Sequence, residues 1–330
     1  MTYSVGGLIQ ATDYNGFVST TVGANVNNIW STGSTDSGYG QTALSTVSAA
    51  GTVTATQWAS LVNTISSMAS HQGTSITART APVTGNTITI LSNLNTDLTT
   101  LTTNRGNAVA NGTQYGTFTG AVSKTTSTGS GTSAWTITFT NTITFASANA
   151  ARYFFNAGGR IKWETSKTST GTLADTEWND LANTLVGDIF ITGGTGTQTI
   201  AGTPYTGTTK SGGTGTPNIL LTTTGWYDLL TTDTIIYKQF ADTAPYTGQF
   251  IQISAKTAGT GTQLVLTTVW TDPGGGIATS VITGGTAVSS PATSIGAATA
   301  PTTLVTYFPP SATYLTSAAW GTPTIAATAV

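Results

Sequence analysis

The chain contains no cysteine, so disulfide staples and thiolate-ligated metal sites are both excluded. It contains a single histidine, His71, which excludes a multi-histidine metal centre or a relay of imidazoles within one chain. Charged side chains make up only 7% of its 330 residues, where a soluble domain usually carries about a quarter. The ten Lys and Arg residues are scattered singly and the net charge is −2. No basic stripe exists to displace counterions from nucleic acid, and DNA binding is not expected. No window approaches about eighteen consecutive apolar residues, so no membrane span is expected. The first residues, MTYSVGGLIQATDYNG, lack the basic region and apolar run of a secretory signal, and synthesis in a cytoplasm is the resulting expectation.

Thr, Ser, Gly and Asn stand where charge would be, beside 8 Trp, 11 Tyr and 10 Phe. Disordered chains lack such aromatics, so the composition reads as folded. Uncharged hydroxyl and amide surface favours extended backbone and carries little desolvation penalty when another protein covers it. That suits an assembly subunit, with burial or oligomerisation as the source of stability.

The first 115 residues carry helical periodicity. Thr12 or Asp13 can cap a helix whose apolar positions are Tyr14, Phe17, Val18 and Val22, while residues 31–41 read as a loop. Thr54 and Gln57 form a capping box, and Trp58, Leu61, Val62, Ile65 and Met68 mark one face up to Gly73. Leu91, Leu94, Leu98 and Leu101 make a short heptad-like stripe, for a helix packing into the chain's own core or a small intersubunit seam.

From residue 134 the period becomes two. Trp135, Ile137, Phe139, Ile143 and Phe145 alternate with Thr and Asn, and further strands are expected over 234–240, 249–256 and 263–271. Residues 152–163 read as strand, turn and strand, with Phe154 and Phe155 as anchors and Gly158 and Gly159 in the turn. Between the strands, Asp175 reads as the N-cap of a helix with Trp178, Leu181 and Leu185 on one face. Residues 56–65 align with 176–185, matching Thr56, Trp58, Leu61, Asn63 and Thr64 to Thr176, Trp178, Leu181, Asn183 and Thr184. The alignment suggests a reused helical unit anchored by Trp58 and Trp178.

Chemistry-bearing constellations are scarce. Asp175, Glu177 and Asp180 form the densest acidic cluster, which at a helix start is read as favouring the helix dipole over a cation site. The glycine-rich stretches 191–202 and 210–217 lack the Lys-Ser or Lys-Thr ending of a phosphate-binding loop and read as β-loops. No catalytic, cofactor-binding or metal-ligating residue is assigned. Trp135, Trp163 and Trp270 lie in strand-like alternation and are read as core, although exposed aromatics could stack on sugars.

Beyond Asp272 no charged residue occurs, and Pro301, Pro309, Pro310 and Pro323 oppose helices and central strands. This segment is expected to be an extended arm ordered by neighbouring subunits, with Tyr307, Phe308, Tyr314 and Trp320 as spaced anchors.

Several strings carry a resemblance: GLIQATDYNGF (7–17), DSGYGQ (36–41), TATQWASLVNTI (54–65), HQGT (71–74), ARYFFNAGG with RIKW (151–163), TEWNDLANTL (176–185) and PPSATYLTSAAWGTPT (309–324). Together they resemble virion structural proteins of tailed bacteriophages, especially marine and cyanobacterial T4-like phages. The resemblance implies a non-enzymatic particle subunit without cofactor, located in the virion after synthesis in the host bacterial cytoplasm. Its partners would be other virion proteins and copies of itself as a homo-oligomer. Neck, tail, baseplate, fibre and head decoration all stay open, and a host-glycan-binding adhesin is the alternative. The fold expected is α+β: a helical N-terminal region over 1–115, a sandwich-like β-rich domain over 116–273 with a helix near 175–187, and the arm over 274–330.

Overall fold

A computed structural model describes residues 10–19, 24–85, 93–121, 135–169, 171, 173–194, 196–244, 246–273 and 300–329. In chain order it contains α1 (Ala11–Val18), α2 (Val26–Trp30), α3 (Ala55–Gln72), α4 (Leu94–Thr103), β1 (Tyr115–Ala121), β2 (Trp135–Thr144), α5 (Ala148–Asn156) and β3 (Arg160–Ser166). There follow α6 (Leu173–Asp180), continued by a π-helical turn (Leu181–Leu185), then β4 (Asp188–Ile191), β5 (Thr197–Ile200), β6 (Thr203–Thr206), β7 (Thr208–Ser211) and β8 (Ile219–Leu220). Strands β9 (Thr234–Phe240), β10 (Phe250–Ala258), β11 (Gln263–Asp272), β12 (Thr302–Phe308) and β13 (Thr324–Ala329) complete it. The class is α+β, a helical N-terminal region leading into a β-rich body. No helix among the described residues is long and apolar enough to cross a membrane.

The helices start where side chains satisfy the first free N–H groups. At α3 the Thr54 hydroxyl accepts from Gln57 N while Gln57 Oε1 accepts from Thr54 N at 2.8 Å, and Gly73 ends the helix in the left-handed region at φ 68°. The start of α1 differs from expectation. Gln10, not Thr12 or Asp13, is its N-cap, and Asp13 reaches back to accept the Gln10 N–H. That helix ends at Val18, and Val22 lies outside the described residues. In α4, Leu94, Leu98 and Leu101 are fully buried in the chain's own core, and Leu91 lies outside the described residues.

Two antiparallel sheets face each other. One has the order β1-β12-β3-β4-β7 and the other β13-β2-β11-β10-β9-β8, with β5-β6 as a separate hairpin. The alternation in β2 places Trp135, Ile137, Phe139 and Ile143 inside. A hydrogen bond from Trp163 Nε1 on β3 to Thr268 Oγ1 on β11, 2.8 Å and buried, ties the two inner faces together. Trp178 enters this interior from α6, stacking on Trp270 at 5.3 Å and tilting against Trp135 at 5.2 Å. Trp58 plays the corresponding part among the helices, against Tyr14 at 5.4 Å and Phe17 at 6.4 Å. One hydrophobic cluster runs without interruption from Tyr14 to Trp320.

Two expectations are corrected. Residues 152–156 are not a strand but the end of α5, because Ser147 Oγ caps the helix by accepting from Ala150 N, and the alanines before Arg152 favour helix over strand. Phe154 and Phe155 are buried on it. The described part of the expected arm is built into the chain's own sheets. Strand β12 pairs with both β1 and β3, and β13 pairs with β2. Absence of charge signalled a strand with neighbours on both sides rather than a tether, and Val305 and Tyr307 bury its inward face. Pro301, Pro309, Pro310 and Pro323 stand beside the strands, where no ladder N–H is needed. Trp320 is buried after a 3-10 turn, Phe308 lies against Phe190, and Tyr314 is exposed.

Trp58→Ala and Trp178→Ala each remove a fully buried indole with its aromatic neighbours. Each is expected to lower unfolding free energy by about 3 to 5 kcal/mol in urea titrations, without changing subunit composition.

Candidate functional site

Arg152 and Asn156 lie one turn apart on α5 and project together toward the loop 31–41, whose backbone lacks strand partners. The Arg152 guanidinium donates to three carbonyls of that loop, Thr35 at 3.1 Å, Thr32 at 3.2 Å and Ser37 at 3.1 Å, and to Asn149 Oδ1 at 2.9 Å. Asn156 Nδ2 donates to Ser37 O at 2.9 Å and Gly38 O at 3.0 Å, while its Oδ1 accepts the Tyr227 hydroxyl at 2.5 Å. Burial pushes the Tyr227 hydroxyl pKa upward, keeping it a neutral donor.

The loop then inserts Tyr39 into the core. Its hydroxyl donates to Arg105 O at 2.7 Å and accepts Gln72 Nε2 at 2.8 Å, and its ring meets His71 edge-on at 5.2 Å. Gly40 is required here, because a Cβ would run into the Tyr153 ring. Beyond it, Gln41 exchanges two hydrogen bonds with the Thr316 backbone, at 2.7 and 3.2 Å. Gly158, at φ 90°, and Gly159, whose Cβ would collide with Phe154, turn α5 directly into β3. Residues from five separate parts of the sequence thus interlock around one loop.

At the border of this network opens a polar cleft of about 230 Å³, lined by Asp36, Arg105, Asn107, Gly193, Gln198 and Tyr227 among others. Asp36 and Arg105 form an ion pair, partly exposed. Asn107 Oδ1 accepts from Thr199 N at 2.8 Å, and Gln198 Nε2 donates to Gly106 O at 3.2 Å. Gln198 Oε1 is buried without a hydrogen-bond partner. Sequence reasoning found none of these as a group.

The acidic cluster separates into two parts. Asp175 lies in the first turn of α6 rather than capping it, and forms a buried ion pair with Lys167, because Lys167 needs a countercharge there. Glu177 and Asp180 instead approach Asp242, with one carboxylate oxygen of each within 4.8 Å of the others. Burial raises the Glu177 pKa, and the Thr243 N–H donated to it at 3.3 Å opposes that rise. His71 sits at the end of α3, almost completely buried, with Nε2 unpartnered. Desolvation lowers its pKa to about 4, against the opposing hydrogen bond to the Ala157 backbone. Among the described residues no serine or threonine hydroxyl is bonded to its free nitrogen.

Asn156→Asp keeps shape but replaces the donor to two buried carbonyls with an acceptor. It is expected to cost about 3 kcal/mol in denaturant unfolding and to open residues 31–41 to limited proteolysis. The depressed His71 pKa has a defined pH signature. The unfolded chain takes up a proton near pH 6.5 while the folded chain does not until about 4, so stability is full above 6.5 and falls as pH drops toward 4. Between pH 7.5 and 5.5 urea titrations should show a loss of about 1 kcal/mol that His71→Phe abolishes.

No family model, no curated protein and no solved structure matches the chain.

Proposed function

We propose that the chain is a non-enzymatic structural subunit of a tailed-phage virion, acting through assembly with other virion proteins and with copies of itself. One observation carries this reading. The strings that resemble phage structural proteins are distant in sequence, yet loop 36–41, Gln72, Arg152, Asn156 and Thr316 meet in a single interlocked network. What the strings share is therefore architecture, with polar side chains committed to backbone carbonyls rather than arranged around a reacting group. The low charge suits surfaces that neighbouring subunits cover. In this reading the protein is made in the host bacterial cytoplasm and resides in the particle. A host-glycan-binding adhesin is the second reading, favoured by the polar cleft beside Tyr227.

Mass spectrometry of gradient-purified particles tests the proposal. The chain is expected at stoichiometric abundance, in a multiple set by particle symmetry, and its absence from intact virions would overturn the structural reading.

A further inference from the structure

The hydrogen-bonding groups of the cleft are only partly committed. Asn107 uses its oxygen on Thr199 N, which leaves its Nδ2 donor without a partner among the described residues. Gln198 uses its nitrogen on Gly106 O, which leaves Oε1 as an unpaired buried acceptor. Asp36 spends one carboxylate oxygen on Arg105, and the pair compensates its own charge. The Tyr227 ring forms one wall above Gly193, its hydroxyl already held by Asn156. A ligand here meets acceptors and a donor close together, no net charge, and an aromatic face. Hydroxyl groups suit such a row because each both donates and accepts. A volume of about 230 Å³ is below the range of drug-sized ligands, roughly 300 to 1,000 Å³, and limits the occupant to one small ring.

We propose that this cleft binds a single neutral sugar ring, with Asn107, Gln198 and Asp36 taking its hydroxyls and Tyr227 as the stacking wall. The site stands on the chain's own geometry and does not depend on particle membership.

The full-length chain is titrated with glucose, galactose, mannose, N-acetylglucosamine and N-acetylgalactosamine, with glucuronate and glucosamine as charged controls, by saturation-transfer NMR and calorimetry. At least one neutral sugar is expected to saturate with Kd of about millimolar, the affinity that roughly a dozen ligand atoms supply. Asn107→Asp preserves the acceptor for Thr199 N but removes the free donor. Gly193→Ala adds a methyl 3.4 Å from the Tyr227 ring and 3.7 Å from Gln198 Oε1, ordinary contacts that fit the fold but take ligand space. Both variants should weaken binding at least tenfold, with Gly193→Ala melting like the parent. Failure of every neutral sugar to saturate, equal or tighter binding of a charged control, or parent-like binding by Gly193→Ala would overturn the proposal. Neither result bears on whether purified particles contain the chain.

Discussion

The structure depends on how the backbone carbonyls of loop 31–41 are satisfied. That segment has no sheet partners and returns to α2 only at its end, where Tyr39 N donates to Ile29 O and Gln41 N to Trp30 O at 2.9 Å, and a buried carbonyl without a hydrogen bond costs about as much as a whole native interaction contributes. Arg152 and Asn156 supply the donors from one face of α5. Because the loop is fixed, Tyr39 can enter the core beside His71, and Gln41 can bind the segment that follows β12. The helical region and the sandwich are joined through this loop as well as through apolar contact. They also share one hydrophobic cluster.

The interior of the sandwich is aromatic and carries buried polar groups with unequal fates. Trp163 finds Thr268, but Asn141, on the inward row of β2, has neither amide atom paired and is fully buried. Arg160 is a second case, on the opposite face of β3, against the separate cluster of Phe190, Tyr205 and Phe308 beneath the β5–β6 hairpin. Its guanidinium lies over the rings of Tyr205 at 4.5 Å and Phe308 at 4.7 Å and bonds Asn111, with no carboxylate among its partners. Burial lowers its pKa, and the ring faces offset part of the lost hydration. Such groups tie particular strands into particular registers, because a one-residue slip of β3 would point Arg160 to the wrong face.

Local periodicity made part of this fold legible in the sequence. The capping box at Thr54, the apolar face running from Trp58 to Met68, and the alternation in β2 are each written within about a dozen residues, and the elements form there, as do β9, β10 and β11 where bounding Gly, Pro and Asp mark strands. Paired phenylalanines make α5 resemble a strand, whereas the deciding signal is Ser147 ahead of an alanine-rich turn. The place of β12 was illegible for a different reason, since pairing with β1 and β3 is set by contacts far apart in sequence. The cleft is harder still. Asp36, Asn107, Gln198 and Tyr227 come from four separate loops or strand ends, and no spacing rule connects them.

The position of β12 has a consequence for biosynthesis. Strands β1 and β3 emerge from the ribosome long before the strand that separates them, and neither pairs with the other in the finished sheet. Until residues 302–308 are delivered, both present unpaired backbone to solvent, the condition under which strands recruit foreign partners. Strand β1 (YGTFTGA) is uncharged and offers no electrostatic repulsion against such pairing, whereas β3 carries Arg160, Lys162 and Glu164. A nascent chain of this design is therefore most exposed to misassembly in the interval before its last strands arrive, and a chaperone that shields sheet edges would act in that interval.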